Sequence, residues 1–192
     1  IQKIQLPGTI EFIGDNCFSN CTALEEIEIP SSVKTIGPYC FADCKSLRKV
    51  IIKGQIELLE KNVFSNCTSL EEIKIPASLH TIGYNAFMNC TSLTYIECPL
   101  ILKTIGNGAF SGCISMNPFV IQPFVLSIGN NSFKDCKSLV KIDIPRSVSS
   151  IGDHAYQNCS MLEELTFDPS CTRIEFLAFN GCANLTLIKV AP

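Results

Sequence analysis

The sequence predicts an α/β solenoid, a right-handed coil with a short parallel sheet on one face and short helices or turns on the other. Three observations support this prediction. An aromatic residue recurs every 23 residues, a strand-like alternation of apolar residues follows each aromatic, and a turn that begins with glycine in most units closes each unit. A fixed period of about 20–50 residues is typical of stacked arrays whose units cannot bury their apolar face alone.

Eight copies of the unit follow one another in phase, without insertions. An aromatic stands three residues before a cysteine in every copy, at Phe18, Phe41, Phe64, Phe87, Phe110, Phe133, Tyr156 and Phe179. We therefore expect one domain over residues 1–192, made of about eight repeats. Strand-like segments open and close the chain with no polar unit beside them, so we expect no dedicated caps. Either further repeats or self-association would then cover the ends.

The first element of each unit is a strand with the pattern L-x-x-I-x-I-P, as in Leu24, Ile27, Ile29 and Pro30. Its apolar residues alternate with a period of two, which is the period of a half-buried strand. Proline ends the strand because it has no N–H for the next hydrogen bond. Each connection joins equivalent strands of successive units, so the predicted sheet is parallel with right-handed crossovers.

The second element is a turn. Val33, Ile36 and Gly37 lead into a short helical segment predicted over 38–42, and an asparagine, aspartate or glycine precedes every repeat cysteine. These three residue types tolerate a left-handed backbone best, so we expect a helix end or a tight turn there. The positions are Asn20, Asp43, Asn66, Asn89, Gly112, Asp135, Asn158 and Gly181.

The whole unit, C-x-x-L-x-x-I-x-I-P-x-S-V-x-x-I-G-x-x-A-F, resembles the BspA-type leucine-rich repeat family over nearly the entire chain. The resemblance implies a curved solenoid with a parallel sheet on one face and short helices on the other. It also implies protein binding, since members include adhesin-like surface proteins and intracellular proteins of anaerobic bacteria and parasitic protists. It carries no shared catalytic residues.

Five positions depart from the family pattern. Glu60 and Glu175 replace the glycine of I-G, and the strand-ending proline is replaced by Lys53, Gln122 and Asp168. We expect altered turns at these positions rather than a broken register.

Twelve cysteines in 192 residues raise the question of metal binding or disulfides. All twelve map to inward positions of the unit, where a free thiol packs as a small hydrophobe. No histidine stands near the pairs Cys17/Cys21 and Cys40/Cys44 to complete a zinc site. We therefore expect buried free thiols and no metal or other cofactor. Disulfides remain the alternative, because stacked cysteines would lie about 5 Å apart, within disulfide geometry.

Composition and charge argue against several function classes. The two histidines, His80 and His154, occupy variable positions, and no nucleophile has a base at a recognisable spacing, so we expect no enzyme. A net charge of −3 without a basic stripe argues against nucleic acid as a partner.

No apolar run reaches the ~20 residues of a membrane-spanning helix, so we expect no membrane insertion. Unpaired cysteines favour the cytoplasm, the resemblance allows the cell surface, and localisation stays open.

Charged residues line the predicted outer face of the sheet. The residue before the first strand isoleucine is, in chain order, Lys3, Glu26, Lys49, Glu72, Tyr95, Pro118, Lys141 and Glu164. Neighbouring charges in this row are opposite, and stacked strands place them side by side. A self-neutralised, solvated face explains the row, and a charge-matched ligand groove is the alternative. The row loses its charges only at Tyr95 and Pro118.

The same two units break the polar pattern at the end of the strand. The slots that hold Ser31 and Ser32, or Ala77 and Ser78, become leucine, isoleucine, proline and phenylalanine in these two units. With the sheet-face residues, the predicted partner-binding patch is Tyr95, Leu100, Ile101, Pro118, Val120, Pro123 and Phe124. A contiguous apolar patch on a charged face is the usual mark of an interaction site. The alternative is a longer local loop that folds over and buries these residues.

These patterns predict a non-enzymatic protein-binding module that acts in recognition or as a scaffold. The alternative is a structural protein that self-associates into homo-oligomers, through the patch or through open solenoid ends. The two functions differ in what covers the exposed apolar surface, which is a different protein in the first case and a copy of the same chain in the second.

Overall fold

The computed structural model describes residues 2–191, which form a parallel-strand β-solenoid of about eight turns. We number the units from their aromatics, so that unit 1 covers 18–40, unit 4 covers 87–109 and unit 5 covers 110–132. The predicted parallel pairing of equivalent strands is confirmed, since Lys3 lies opposite Glu26 and Ile27 lies opposite Val50. Residues 23 apart therefore occupy the same position in adjacent units.

A main strand carries the L-x-x-I-x-I pattern. The main strands are β1 (Lys3–Gln5), β3 (Glu26–Ile29), β5 (Lys49–Ile52), β7 (Glu72–Lys74), β11 (Lys141–Ile144), β13 (Glu164–Phe167) and β15 (Leu187–Val190). They form two sheets, β1-β3-β5-β7 and β11-β13-β15. In β3 the isoleucines are buried and Glu26 and Glu28 are exposed, which confirms the predicted alternation. One face of the strand covers the core and the other meets solvent.

A two-residue strand follows in each turn, at the V-x-x-I-G pattern. These strands are β2 (Phe12–Ile13), β4 (Thr35–Ile36), β6 (Leu58–Leu59), β8 (Thr81–Ile82), β9 (Thr104–Ile105), β10 (Ser127–Ile128), β12 (Ser150–Ile151) and β14 (Arg173–Ile174). The last six form one sheet, and β2 pairs with β4. The glycine of the pattern permits close stacking, because a Cβ at Gly83 would lie 2.5 Å from the carbonyl oxygen of Leu59.

The prediction of short helices on the opposite face is wrong, because no residue between 2 and 191 is helical. Hydrogen bonds in the turn alternate in direction. The N–H of Phe41 donates to Val63, which lies in the adjacent turn of the solenoid just before the next repeat aromatic, whereas the N–H of Ala42 donates to Tyr39, three residues earlier. A helix needs its N–H groups to bond within their own segment. The solenoid is therefore built from strands and turns rather than being α/β, and the described residues contain no helix that could cross a membrane.

Two left-handed residues in each unit explain the absence of helix. The residues before the eight repeat cysteines have φ values of 58–78°, which confirms the left-handed backbone predicted there. A second set lies four positions earlier, with φ values of 52–64°, at Asn16, Tyr39, Asn62, Asn85, Gly108, Asn131, His154 and Leu177. Left-handed residues occur singly in L-peptides and do not continue a right-handed helix.

The core is a column of aromatic rings with apolar side chains around it. Consecutive repeat aromatics stack with ring centroids 5.1–5.6 Å apart and interplanar angles of 3–13°. The rings from Phe41 to Tyr156 are fully buried. Offset stacking of this kind adds to the stabilisation that burial alone provides, so the column links all eight units.

The repeat cysteines lie beside this column, and all twelve cysteines are free thiols. In seven units the repeat thiol donates to the carbonyl of the preceding unit's aromatic at 3.1–3.2 Å, as Cys67 does to Phe41. This polar contact was not predicted. Burial raises the pKa of the Cys113 thiol to about 12, so the sulfur keeps the proton that it donates. The cysteine therefore suits its position by its hydrogen bond as well as by its size.

The prediction that every cysteine faces inward is wrong at Cys17, which is exposed. Cys21, Cys171 and Cys182 are only partly buried, although each of them packs against the core. These residues lie near the two ends of the described array, where fewer neighbouring units of the chain cover them.

Two of the departures from the repeat show how local their effects are. Beside Glu175, strands β12 and β14 pair in register. Beside Glu60, the ladder of short strands is interrupted between β4 and β6, but the bond from Phe41 to Val63 is again in register. The register continues at both positions, as predicted, but an altered turn is seen only beside Glu60, because the N–H of Glu175 donates to Ile151 as the glycine of a regular unit does.

A candidate protein-binding surface in units 4 and 5

The main sheet is interrupted between β7 and β11. Residues 95–98 and 118–121, which we call the interruption, occupy the positions of two main strands but belong to no sheet. Burial still alternates in both segments, since Ile96 and Cys98 are buried whereas Tyr95 and Glu97 are exposed. The backbone bond from Asn117 to Thr94, at 2.9 Å, shows that the two units remain stacked. The interruption therefore loses strand pairing without losing the core.

Two residues of unit 5 act against a regular strand. Pro118 has no N–H to donate to a ladder. Phe119 fills a core slot that holds Ile142 in the next unit, and its ring centroid lies 5.0 Å from Phe110 and 4.7 Å from Phe133. A larger ring must be accommodated beside the aromatic column, where neighbouring units place an aliphatic side chain.

All seven residues of the predicted patch are exposed. The exposed fraction is 47% for Tyr95, 66% for Leu100 and 59% for Phe124. No local loop of the described chain buries them, so the burial alternative does not hold for the isolated chain. The patch spans adjacent units, because Tyr95, Leu100 and Ile101 occupy the same unit positions as Pro118, Pro123 and Phe124. Its role in binding stays a prediction.

The structure adds one residue that the sequence analysis missed. Leu126 is 57% exposed and lies two residues beyond Phe124. Its N–H donates to the carbonyl of Lys103 at 3.0 Å, which fixes it beside unit 4. The equivalent residues in the two preceding units are His80 and Lys103. A leucine in an otherwise polar slot was the signal that could have identified it.

Charged side chains flank the patch on the sheet face. Before the patch, Lys49 Nζ lies 2.9 Å from Glu72 Oε2, and beyond it Lys141 Nζ lies 3.4 Å from Glu164 Oε1. These are two of the four predicted opposite neighbours. Within the described chain, no ion pair joins Glu26 to Lys3 or Lys49. The self-neutralised face is thus present on both sides of the patch but is discontinuous.

These contacts shift the ionisation of the carboxylates. The hydrogen bond from Lys49 lowers the pKa of Glu72, and the same contact raises the pKa of Lys49. Lys189 and then Lys141 lower the pKa of Glu164. Because all of these side chains meet solvent, salt screens their interactions. They can select a partner by charge more effectively than they stabilise the fold.

The sheet face has a further feature outside the patch. A shallow depression of about 750 Å³ lies at its N-terminal end, lined by residues of β1, β3 and β5 that include Lys3, Glu26 and Lys49. Among residues 2–191, no group of three or more histidine, cysteine, aspartate or glutamate side chains is arranged to hold a metal ion. His154 contacts the carbonyl of Phe176 at 3.1 Å, away from the patch.

Comparisons with known proteins agree with this architecture. The chain matches the family model of the BspA type leucine rich repeat region, with six copies, over residues 1–117 and 80–192. It is similar to a leucine rich cell surface protein from Faecalibacterium prausnitzii A2-165, with a TM-score of 0.71 and 26% identity over 97% of this chain and 52% of that chain. This chain therefore spans about half the length of that relative.

Two further solved structures are similar. The leucine rich repeat protein of T. pallidum has a TM-score of 0.71 and 27% identity, over 96% of this chain and 78% of that chain. A leucine-rich repeat protein from Eubacterium ventriosum ATCC 27560 has a TM-score of 0.60 and 25% identity, over 81% of this chain and 36% of that chain. The comparison with curated proteins found no match. Since the family model matches both halves of the sequence, the chain belongs to the BspA-type leucine-rich repeat family.

Proposed function

We propose that the chain is a non-enzymatic protein-binding module whose contact surface is the patch. One observation carries the proposal, namely that exposed apolar residues gather where the sheet face loses both its charges and its strand pairing. Tyr95 and Phe124 have the character of interface anchors, because aromatic side chains bury a large area while few rotatable bonds become fixed. The charged rows on either side would form the polar rim that such an interface requires.

The family and its members support this function. The relative from F. prausnitzii is described as a cell surface protein, and a surface location would expose the patch to other proteins. A catalytic role for the thiols would require a thiolate, which is the reactive form of cysteine. Burial instead raises the pKa of the Cys67 and Cys90 thiols, which keeps them protonated and unreactive.

Photo-crosslinking tests the proposal. A photoreactive amino acid replaces Phe124 in the cells that make the protein, and the covalent products are identified by mass spectrometry. Phe12 provides a matched control, because it is 60% exposed against 59% for Phe124 but lies outside the patch. We expect protein adducts from position 124 and none from position 12. Equal yields from the two positions would contradict a specific binding surface.

Self-association through the same patch is the second candidate function, and the alternation of charge on both sides of the patch favours it. Light scattering of the purified protein measures it directly. Phe124→Ser and Leu100→Ser should reduce the mass of any oligomer while circular dichroism stays unchanged. Phe12→Ser should leave the oligomer intact. An oligomer that survives both patch substitutions would be formed by another surface.

A further inference from the structure

The charges that flank the patch are arranged so that the sheet face complements a copy of itself. We propose that two copies of the chain pack sheet face to sheet face about a two-fold axis parallel to the strands, which passes between units 4 and 5. The inference rests on the proposed function, because it identifies the partner of the patch as a second copy. Closed dimers with this symmetry require a self-complementary surface.

The axis fixes which residues face each other. A rotation about a line parallel to the strands reverses the order of the units but keeps the position along the strand. Unit 4 then faces unit 5 of the second copy, unit 3 faces unit 6, and unit 2 faces unit 7. Within the patch, the apolar residues of the two copies cover one another in the pairs Tyr95 with Pro118, Leu100 with Pro123, and Ile101 with Phe124.

Charged residues on both sides of the patch also meet in pairs, and every pair of charges is opposite. The six pairs are Glu72 with Lys141, Lys49 with Glu164, Lys74 with Asp143, Glu28 with Lys189, Arg48 with Glu163, and Lys53 with Asp168. All twelve side chains are exposed or half-buried in the isolated chain. Complementary potentials of this kind set the register of an interface and disfavour other partners.

One row of charges determines where the axis lies. The row of Lys49 and Glu72 alternates in sign, so it is complementary about an axis between any two units. The row two positions further along the strand, which contains Glu28, Lys74, Asp143 and Lys189, is complementary about fewer axes. An axis one unit closer to the N-terminus would place Glu28 opposite Asp143, and an axis one unit further along would place Lys74 opposite Lys189. Like charges would then meet, whereas the axis through the patch avoids them.

A charge exchange at Lys74 and Asp143 tests this arrangement. Among residues 2–191 these two residues take part in the longest ion pairs, 3.7 Å from Lys74 to Glu72 and 3.6 Å from Lys141 to Asp143, so their substitution should disturb the monomer little. Lys74→Glu alone places two glutamates opposite two aspartates in the dimer, and Asp143→Lys alone places lysine opposite lysine. Each variant should weaken dimerisation by about a hundredfold or more.

Mixing the two variants gives the decisive result. A heterodimer of Lys74→Glu with Asp143→Lys restores opposite charges at both contacts, so an equimolar mixture should regain the dimer mass in light scattering. Lys45→Glu makes the same change of charge away from the sheet face and should leave the dimer intact. A wild-type dimer whose two variants do not complement each other would overturn the arrangement.

A monomeric wild-type protein at its highest soluble concentration would also overturn the inference. The proposed function would survive that result if position 124 still formed photo-adducts with a different protein. It would fail together with the inference if the position formed none.

A substitution at Glu97 distinguishes a second copy of the chain from a basic protein as the partner of the patch. The axis places Glu97 opposite Val120, where it gains no opposite charge. Glu97→Gln should therefore tighten the dimer about tenfold, because a carboxylate is costly to bury without a partner. A dimer weakened by Glu97→Gln would mean that this carboxylate meets a cation, which the proposed axis does not supply. That outcome would overturn the axis.

Discussion

The same positions are buried in units 2 and 3 as in units 4 and 5, yet the main strands pair in units 2 and 3 and do not pair in units 4 and 5. In units 2 and 3, β5 and β7 are bonded in register and expose Lys49 and Glu72. In units 4 and 5 the equivalent segments lie outside any sheet and expose Tyr95 and Pro118. The aromatic column passes through all four units without a break. The difference shows that the core and the sheet face can vary independently in this solenoid.

This independence explains how one array can carry a binding surface without losing its fold. The column and the backbone bonds hold the units together, since the N–H of Leu126 in unit 5 donates to Lys103 in unit 4 at 3.0 Å. Strand pairing on the sheet face can therefore be absent locally without loss of the fold. A solenoid is stabilised by contacts between nearest neighbours, so a local change affects only the adjacent units.

The largest expected effect comes from the shared core. Phe64→Ala removes a fully buried ring between Phe41 and Phe87 and should destabilise the protein by about 3–5 kcal/mol. Thermal unfolding followed by circular dichroism measures the change. Glu72→Ala, on the sheet face of the same unit, should leave the melting temperature nearly unchanged. Equal effects of the two substitutions would contradict the separation of core from face.

The sequence predicts the repeated core better than it predicts the positions that vary between units. The aromatic column, the parallel main strands and the left-handed turn residues repeat every 23 residues, so each appears eight times and is easily recognised. The second set of left-handed residues is harder to recognise in the sequence, because Tyr39, His154 and Leu177 interrupt its four asparagines and one glycine. The two-residue strands could not be predicted because two residues cannot show an alternation. The helix prediction failed because alternate N–H groups of the turn bond to the adjacent turn of the solenoid.

A smaller effect should come from one polar atom in the regular core. The ring of Tyr156 stacks 5.1 Å from Phe133, and its buried hydroxyl has no hydrogen-bond partner among the described residues. Tyr156→Phe keeps the ring and removes that unsatisfied group, so it should stabilise the protein by about 1 kcal/mol. The control is Tyr95→Phe, at an exposed tyrosine of the patch, which should not change the melting temperature. A less stable Tyr156→Phe variant would show that the hydroxyl does have a partner.

A substitution at Pro118 should make the backbone of the interruption more like a regular main strand. Pro118→Glu restores an N–H donor and places a carboxylate one unit from Lys141, as in the regular part of the sheet. We expect slower amide hydrogen exchange at residues 118–121 and weaker association through the patch, with little change in global stability.

Pro123→Glu is the control for this change, because it adds the same charge beyond the strand position. It should leave hydrogen exchange at 118–121 unchanged. If Pro118→Glu left exchange unchanged as well, the ring of Phe119 would be the dominant cause of the interruption.

The candidate patch was only partly predictable, for a physical reason. Apolar residues in polar slots identified Leu100 and Phe124, and comparison of the same slots across units could have identified Leu126. The loss of strand pairing could not be predicted from the isoleucine pattern, because Ile96 and Ile121 keep the alternation of a regular strand. Pairing depends on the spacing of neighbouring segments, which the size of Phe119 affects and which sequence periodicity does not report.

The smallest expected effect concerns the exposed ion pairs of the regular face. The hydrogen bond from Lys49 holds the pKa of Glu72 below its ordinary value of 4.5 in the folded protein. A carboxylate with a lowered folded pKa contributes stability above its unfolded pKa, and this contribution is lost as the pH falls through the folded pKa. Glu72→Gln should therefore lower the melting temperature slightly at neutral pH and not at all well below pH 4.5. Thermal unfolding at both pH values, repeated in high salt, measures the difference, and salt should reduce it. A difference that persists unchanged in high salt would mean that Glu72 acts through packing rather than through charge.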